Sequence, residues 1–153
     1  MTPWERLAAL GIELPAAVEP KGAYFPSRRC GNQLWISGTT ARRPDDPGAV
    51  GVVGDGVTSA QATAQARLAA LNLVSALDAA AGLDSIAGLV HLRGYVRAAS
   101  DFDSHPRVID GASELLLDVF GEERGAHART AIGVASLPGG ACVELELVAT
   151  VRD

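Results

Sequence analysis

From Val143 to Val151 every second residue is apolar: Val143, Leu145, Leu147, Ala149 and Val151 share one parity. Side chains on a strand point alternately to its two faces, so this run reads as a strand with one face sunk in a core. The opposite face would carry Cys142, Glu144, Glu146, Val148 and Thr150, a mixed face rather than a simply polar one. An upstream run puts Thr130, Ile132 and Val134 on one side and Arg129, Ala131, Gly133 and Ala135 on the other. Three tiny residues beside one arginine leave space. Together the two runs predict a hairpin from 128 to 151. In the plainest reading its charges form a solvated cross-strand ion pair, worth less than about 1 kcal/mol.

The rest of the chain alternates between two periods. Thr2, Pro3 and Glu5 make a capping box with proline at the first helical position, and Gly11 can end that short helix. Two extended runs follow around Gly31-Asn32, a pair suited to a tight turn, and Pro26 marks the first as an edge strand. Arg42, Arg43, Asp45 and Asp46 read as solvated loop charges, and a short strand near Val50 to Val53 is expected to complete the first part of the sheet. Thr58 and Gln61 then cap a long helix whose stripe is Ala66, Ala69, Leu73, Ala76, Leu77 and Ala80, with Gly82 as its stop. A strand over 88–100 follows, with Val90, Leu92 and Val96 on one face and His91, Arg93, Tyr95 and Arg97 on the other. A second long helix spans about 106–120, with Val108, Ile109, Ala112, Leu115, Leu116 and Val119 inward and Gly121 at its end. The order β-β-β-α-β-α-β-β predicts an α+β layer, a sheet with two long helices on one face. Its other face must be covered or wet.

Composition removes several classes of function. With 153 residues, 48% of them hydrophobic, the chain suits one domain over 1–153, its first 22 residues forming a helical extension. No apolar run reaches the eighteen or so residues of a membrane span, and a soluble cytoplasmic protein without a membrane partner is expected. Cys30 and Cys142 lack a CxxC or companion ligand spacing, so neither a disulfide framework nor a metal site is expected. A net charge of −5 argues against a sequence-blind grip on nucleic acid. No GxSxG, P-loop or GxGxxG motif is present in a strand-to-helix setting. Asp101, Asp103 and His105, ahead of Pro106, read as helix-entry residues rather than metal ligands. His91, without a paired nucleophile, reads as an exposed or hydrogen-bonded strand residue. His127, beside Arg129, either lines a cleft or caps the start of a strand.

The C-terminal residues carry a resemblance. Ala128-Arg129-Thr130, an aliphatic strand, Val134-Ala135-Ser136-Leu137-Pro138, a short gap and Val143-Glu144-Leu145-Glu146 resemble the pattern of the reactive intermediate deaminase family, also called RidA or YjgF-like. The "GNQLWISG" and "GAYFP" segments are similar to its glycine-asparagine turn and Gly-Pro-Tyr segment. The resemblance covers about residues 24 to 151. It implies a chorismate mutase-like fold assembled as a homotrimer with clefts between subunits. In those clefts 2-imino acids or enamines would be hydrolysed to 2-oxo acids and ammonia without a cofactor. Carried over, Arg129 would clamp the substrate carboxylate, Glu144 would position the attacking water, Tyr24 would line the pocket, and Ser37 and Gly38 would lie near the ligand. The position two residues after the arginine, a cleft cysteine in many members, is Ala131 here, and His127 stands where proline is common.

The residue types fit that chemistry. Arginine pairs bidentately with a carboxylate, and an imino carbon, already electrophilic, needs only a positioned water and an acid-base group. Two other readings compete: a non-catalytic trimer that binds a small carboxylate metabolite, and an endoribonuclease. Against the latter, the acidic chain shows no basic stripe or stacking platform.

Overall fold

The computed structural model describes residues 1–152. Three helices run over Pro3–Ala9 (α1), Ser59–Ala81 (α2) and His105–Gly125 (α3). Five strands form the main sheet: Ser27–Cys30 (β1), Gln33–Thr39 (β2), Ile86–Arg97 (β5), Ala128–Val134 (β6) and Val143–Val151 (β7). Val52–Val53 (β3) and Gly56–Val57 (β4) pair in parallel as a separate ribbon, so the valines near 50 do not extend the main sheet as their composition suggested.

Local chemistry fixes both helix starts. Thr2 and Thr58 each accept from the backbone N–H three residues on, at 3.2 and 3.1 Å, while Glu5 and Gln61 reach back to the cap N–H. Ala62, Ala66, Ala69, Ala70, Leu73, Val74 and Leu77 are buried along α2, which packs against α3. Ala76 is half-buried and Ala80 exposed, so the real stripe runs nearer to Ala62 and Ala70 than the sequence reading placed it. All six predicted inward residues of α3 are buried. Gly121, at φ 76°, breaks the helix, and one further turn follows.

The strand order is β1-β2-β7-β5-β6, and this overturns the expected closing hairpin. β7 pairs antiparallel with both β2 and β5, whereas β6 pairs in parallel with β5 on its far side. The intervening α3 explains it: a strand, a helix and a strand form a crossover unit that lays the two strands side by side in parallel. β7 then enters the sheet centre, where its alternation fits: Val143, Leu145, Leu147, Ala149 and Val151 are all buried under the helices.

Three register shifts adjust the sheet, one in β2 and two in β5, the first of the latter between Ile86 and Gly88. In β2, Ile36 pairs with Leu147 and Thr39 with Leu145, so Ser37 and Gly38 together oppose the single residue Glu146 and form the bulge. In β5, Leu89 pairs with Ala149 and His91 with Val148. Val90 is the extra residue there and is exposed rather than inward, while Leu89 takes the core position. No helix covers the second sheet face, where Trp35 and Ile132 are each 45% exposed.

Candidate functional site

Cross-strand register sorts the charges that the sequence left mixed. Glu146 pairs with Arg93, and Glu144 with Tyr95, on the uncovered face. Arg93 Nη1 donates to Glu146 Oε1 at 2.9 Å, and Tyr95 Oη donates to the same oxygen at 3.0 Å. Glu146 is therefore held within the sheet surface. Glu144, one pair along, makes no hydrogen bond or salt bridge to another side chain among the described residues. Burial holds its carboxyl above the usual carboxylate range, and the neighbouring Glu146 charge adds to the shift. Desolvation, then the bond to Glu146, also raises the Tyr95 phenol.

The β2 bulge brings the second strand to Glu144. A Cβ added at Gly38 would run into the Glu144 carboxylate, so glycine lets that carboxylate rest against backbone. Gly38 also lines a cleft of about 40 Å³ with Tyr24, Pro26, Ser37, Thr39 and Asn72, room for little more than a water in the single chain. Ser37 Oγ donates to the Phe25 carbonyl at 2.7 Å, and Ser37 N–H to the Pro26 carbonyl at 3.0 Å, which tie the Tyr24 segment to the bulge. The structure thus brings Tyr24, Ser37 and Gly38 to one cleft and sets Glu144 against Gly38. Asn72, missed in the sequence, donates from Nδ2 to the Thr40 and Arg42 carbonyls at 2.8 and 2.9 Å and holds the loop after β2.

Arg129 stands elsewhere. It pairs with Leu92, which in turn pairs with Leu147, so its side chain lies on the helix-covered face at the free edge of β6. One strand, β5, lies between it and Glu144, two inter-strand spacings or about 10 Å of sheet, and the two side chains are on opposite faces. Any ion pair between them is excluded. The space beside it, read from Ala131 and Gly133, is filled by α3: Arg129 Nη1 donates to Asp110 Oδ1 at 2.7 Å and to Ser113 Oγ at 3.2 Å, and Nη2 to the Pro106 carbonyl at 3.2 Å. A Cβ at Gly133 would meet the His105 ring. His127 Nδ1 lies 2.6 Å from the Gly125 carbonyl and Nε2 lies 3.0 Å from Ser113 Oγ, so both ring nitrogens are engaged inside the chain. Ala131, half-buried, packs against the core beside them. Asp110 and Ser113 escaped the sequence reading, although their spacing of three marks one helical face flanking the apolar stripe.

The candidate residues therefore fall into two groups, or candidate half-sites, one around Glu144 and Gly38 and one around Arg129. Among the described residues no cluster of three or more His, Cys, Asp or Glu could hold a metal ion, and no helix is long and apolar enough to cross a membrane.

Comparison with known proteins fits these features. A Trypanosoma cruzi protein, TCP17, is 40% identical over 148 residues, covering 96% of this chain and 92% of that protein. The crystal structure of a Shewanella oneidensis protein described as a "putative endoribonuclease" superposes with a TM-score of 0.94 at 34% identity, over 99% of this chain and 100% of that one. An Agrobacterium tumefaciens protein of unknown function gives a TM-score of 0.90 at 36% identity, covering 98% and 92%. The family model described as "YjgF/chorismate mutase-like, putative endoribonuclease" matches residues 4–150. The mixed sheet with two long helices on one face is the fold of that family, and the chain belongs to it.

Proposed function

We propose that the protein hydrolyses 2-imino acids, or their enamine tautomers, to 2-oxo acids and ammonia in clefts shared between copies of the chain. The observation that carries this reading is Glu144: an unpaired carboxylate, half-buried, raised by burial and seated against the Gly38 backbone. A carboxyl of that kind, desolvated and without a cationic partner, is suited to exchanging a proton with a bound water. It would take a proton from water as the oxygen attacks the imino carbon, forming a carbinolamine. Returning that proton to nitrogen would let ammonia leave as the C–N bond breaks, with the hydroxyl proton passing to the freed Glu144 carboxylate as the carbonyl forms. Arg129 would hold the substrate carboxylate through a planar, permanently charged fork.

Because Arg129 and Glu144 occupy opposite sheet faces, both act on one substrate only if Arg129 of one copy meets the Glu144 cleft of another. The uncovered sheet face, with Trp35, Ile132, Tyr95 and Val148, supplies apolar area for such an assembly. A ring of three copies would close it and give three equivalent clefts. Ala131 does not disturb this scheme, in which no thiol takes part.

The test is ammonia release from an imino acid made in situ by an amino acid oxidase. Arg129→Lys should keep the assembly, by light scattering, while the rate falls at least roughly tenfold, since lysine keeps the charge but lacks the fork. Near-normal hydrolysis by that variant, or a stable monomer at micromolar concentration, removes the shared-site reading. Binding of a 2-oxo acid without ammonia release would instead mark a metabolite-binding protein, and salt-sensitive RNA cleavage an endoribonuclease.

A further inference from the structure

We propose that Ser113 and His127 are positioning residues for Arg129 and, with Asp110 and the Pro106 carbonyl, leave it a side-on fork for one carboxylate. This rests on the reading of Arg129 as the carboxylate clamp. The Gly125 carbonyl can only accept, so at 2.6 Å it fixes the proton of neutral His127 on Nδ1. Nε2 is then a bare acceptor, and 3.0 Å away the Ser113 hydroxyl hydrogen turns toward it. The hydroxyl lone pairs are left facing Arg129, whose Nη1–H reaches one of them at 3.2 Å.

A guanidinium has five N–H groups. Here Nη1 gives one to Ser113 and the other to Asp110, at 2.7 Å, and Nη2 gives one to the Pro106 carbonyl at 3.2 Å. Nε–H and one Nη2–H remain. With the Pro106 carbonyl on the Nη2–H that points away from Nε, as this proposal has it, the two sit on one edge of the planar group and match the two oxygens of a single carboxylate. Asp110 alone does not achieve this, because its side chain is 51% exposed and an exposed pair fixes charge loosely. The hydroxyl between His127 and Arg129 adds a second fixed point and so sets the plane of the guanidinium. His127 thus acts through Ser113 rather than on substrate.

Ser113→Ala, His127→Ala and His127→Gln test the chain of bonds. The glutamine amide carries a donor and an acceptor on one planar group, so it can restore part of the link. For the two alanine variants we expect KM for the imino acid to rise by roughly fivefold or more with kcat within about twofold, the pattern of lost uniform binding. Binding of 2-oxobutanoate, followed by calorimetry, should weaken by the same factor, the Arg129 Nε–H resonance should broaden, and His127→Gln should recover part of each. If the unmodified protein binds 2-oxobutanoate but releases no ammonia, and the alanine variants bind it more weakly, the deaminase reading fails while the positioning stands. Unchanged binding and an unchanged Nε–H signal in Ser113→Ala and His127→Ala overturn the proposal. So does a glutamine variant as impaired as the alanine one. No binding of 2-oxobutanoate by the unmodified protein overturns the fork itself.

Discussion

Adding one methyl group at Gly38 should separate function from stability. The backbone at Gly38 is not in the left-handed region, so alanine fits the local conformation, and the loss of unfolded-state freedom favours the variant by about 0.4–1 kcal/mol. Against this, the new Cβ occupies the place of the Glu144 carboxylate, the far end of a side chain that can swing aside. The two effects nearly cancel, and the melting temperature of Gly38→Ala should stay within a few degrees of the original. Activity should not survive so well: a carboxylate displaced by about 1 Å loses its alignment with the water, at up to roughly a hundredfold in rate. Gly94→Ala is the contrast. Its Cβ would enter the Ile109 side chain in the buried core, an overpacking of about 1–3 kcal/mol, without touching either half-site. Calorimetry with the ammonia assay distinguishes them. A Gly38→Ala protein as active as the original would refute the assigned place of Glu144, and one that is strongly destabilised would refute the claim that its carboxylate can yield.

Further perturbations read other parts of the structure. Glu144 is raised in the folded state, so it favours folding below its unfolded value, near 4.5, and that contribution disappears as pH rises through the shifted value. Glu144→Gln should therefore gain stability relative to the original protein as pH climbs through that window and hold a constant difference above it, a trend that denaturant titration at several pH values would read. Spectrophotometric titration of Tyr95 should place it above an ordinary tyrosine, and Glu146→Gln should lower it only in part because desolvation is the larger cause. Leu145→Ala, in the fully buried row of β7, should cost about 2–5 kcal/mol in urea unfolding. Thr58→Ala should cost about 0.5–2 kcal/mol through the lost cap of α2.

What could be read from the sequence was mostly local. The Thr2 and Thr58 caps, the inward row of α3 and the alternation of β7 are set within a few residues, so pattern and chemistry sufficed. Parity along a strand, however, says which residues share a face and not which face a neighbouring strand presents. Treating 128–151 as a hairpin therefore put Arg129 and the glutamates together, whereas the helix between β5 and β6 sends Arg129 to the covered face beside Asp110. The same limit hid Tyr95 as the neighbour of Glu144, a relation that exists only once β5 pairs with β7. Bulges are equally hard to read: Val90 looks inward by alternation and turns out because one extra residue enters β5. The Gly38 contact depends on the bulge in β2 and on a partner more than a hundred residues away in sequence.

The division of the site between chains can be measured by complementation. Arg129→Lys and Glu144→Gln chains, each inactive alone, would be unfolded, mixed in equal amounts and refolded together, and ammonia release from an in situ imino acid followed. With random mixing, about one cleft in four joins an unmodified Arg129 to an unmodified Glu144 from another copy, so roughly a quarter of the original activity should return. Activity no higher than that of the two separate variants, in mixtures shown by mass spectrometry to contain both chains, would contradict the account.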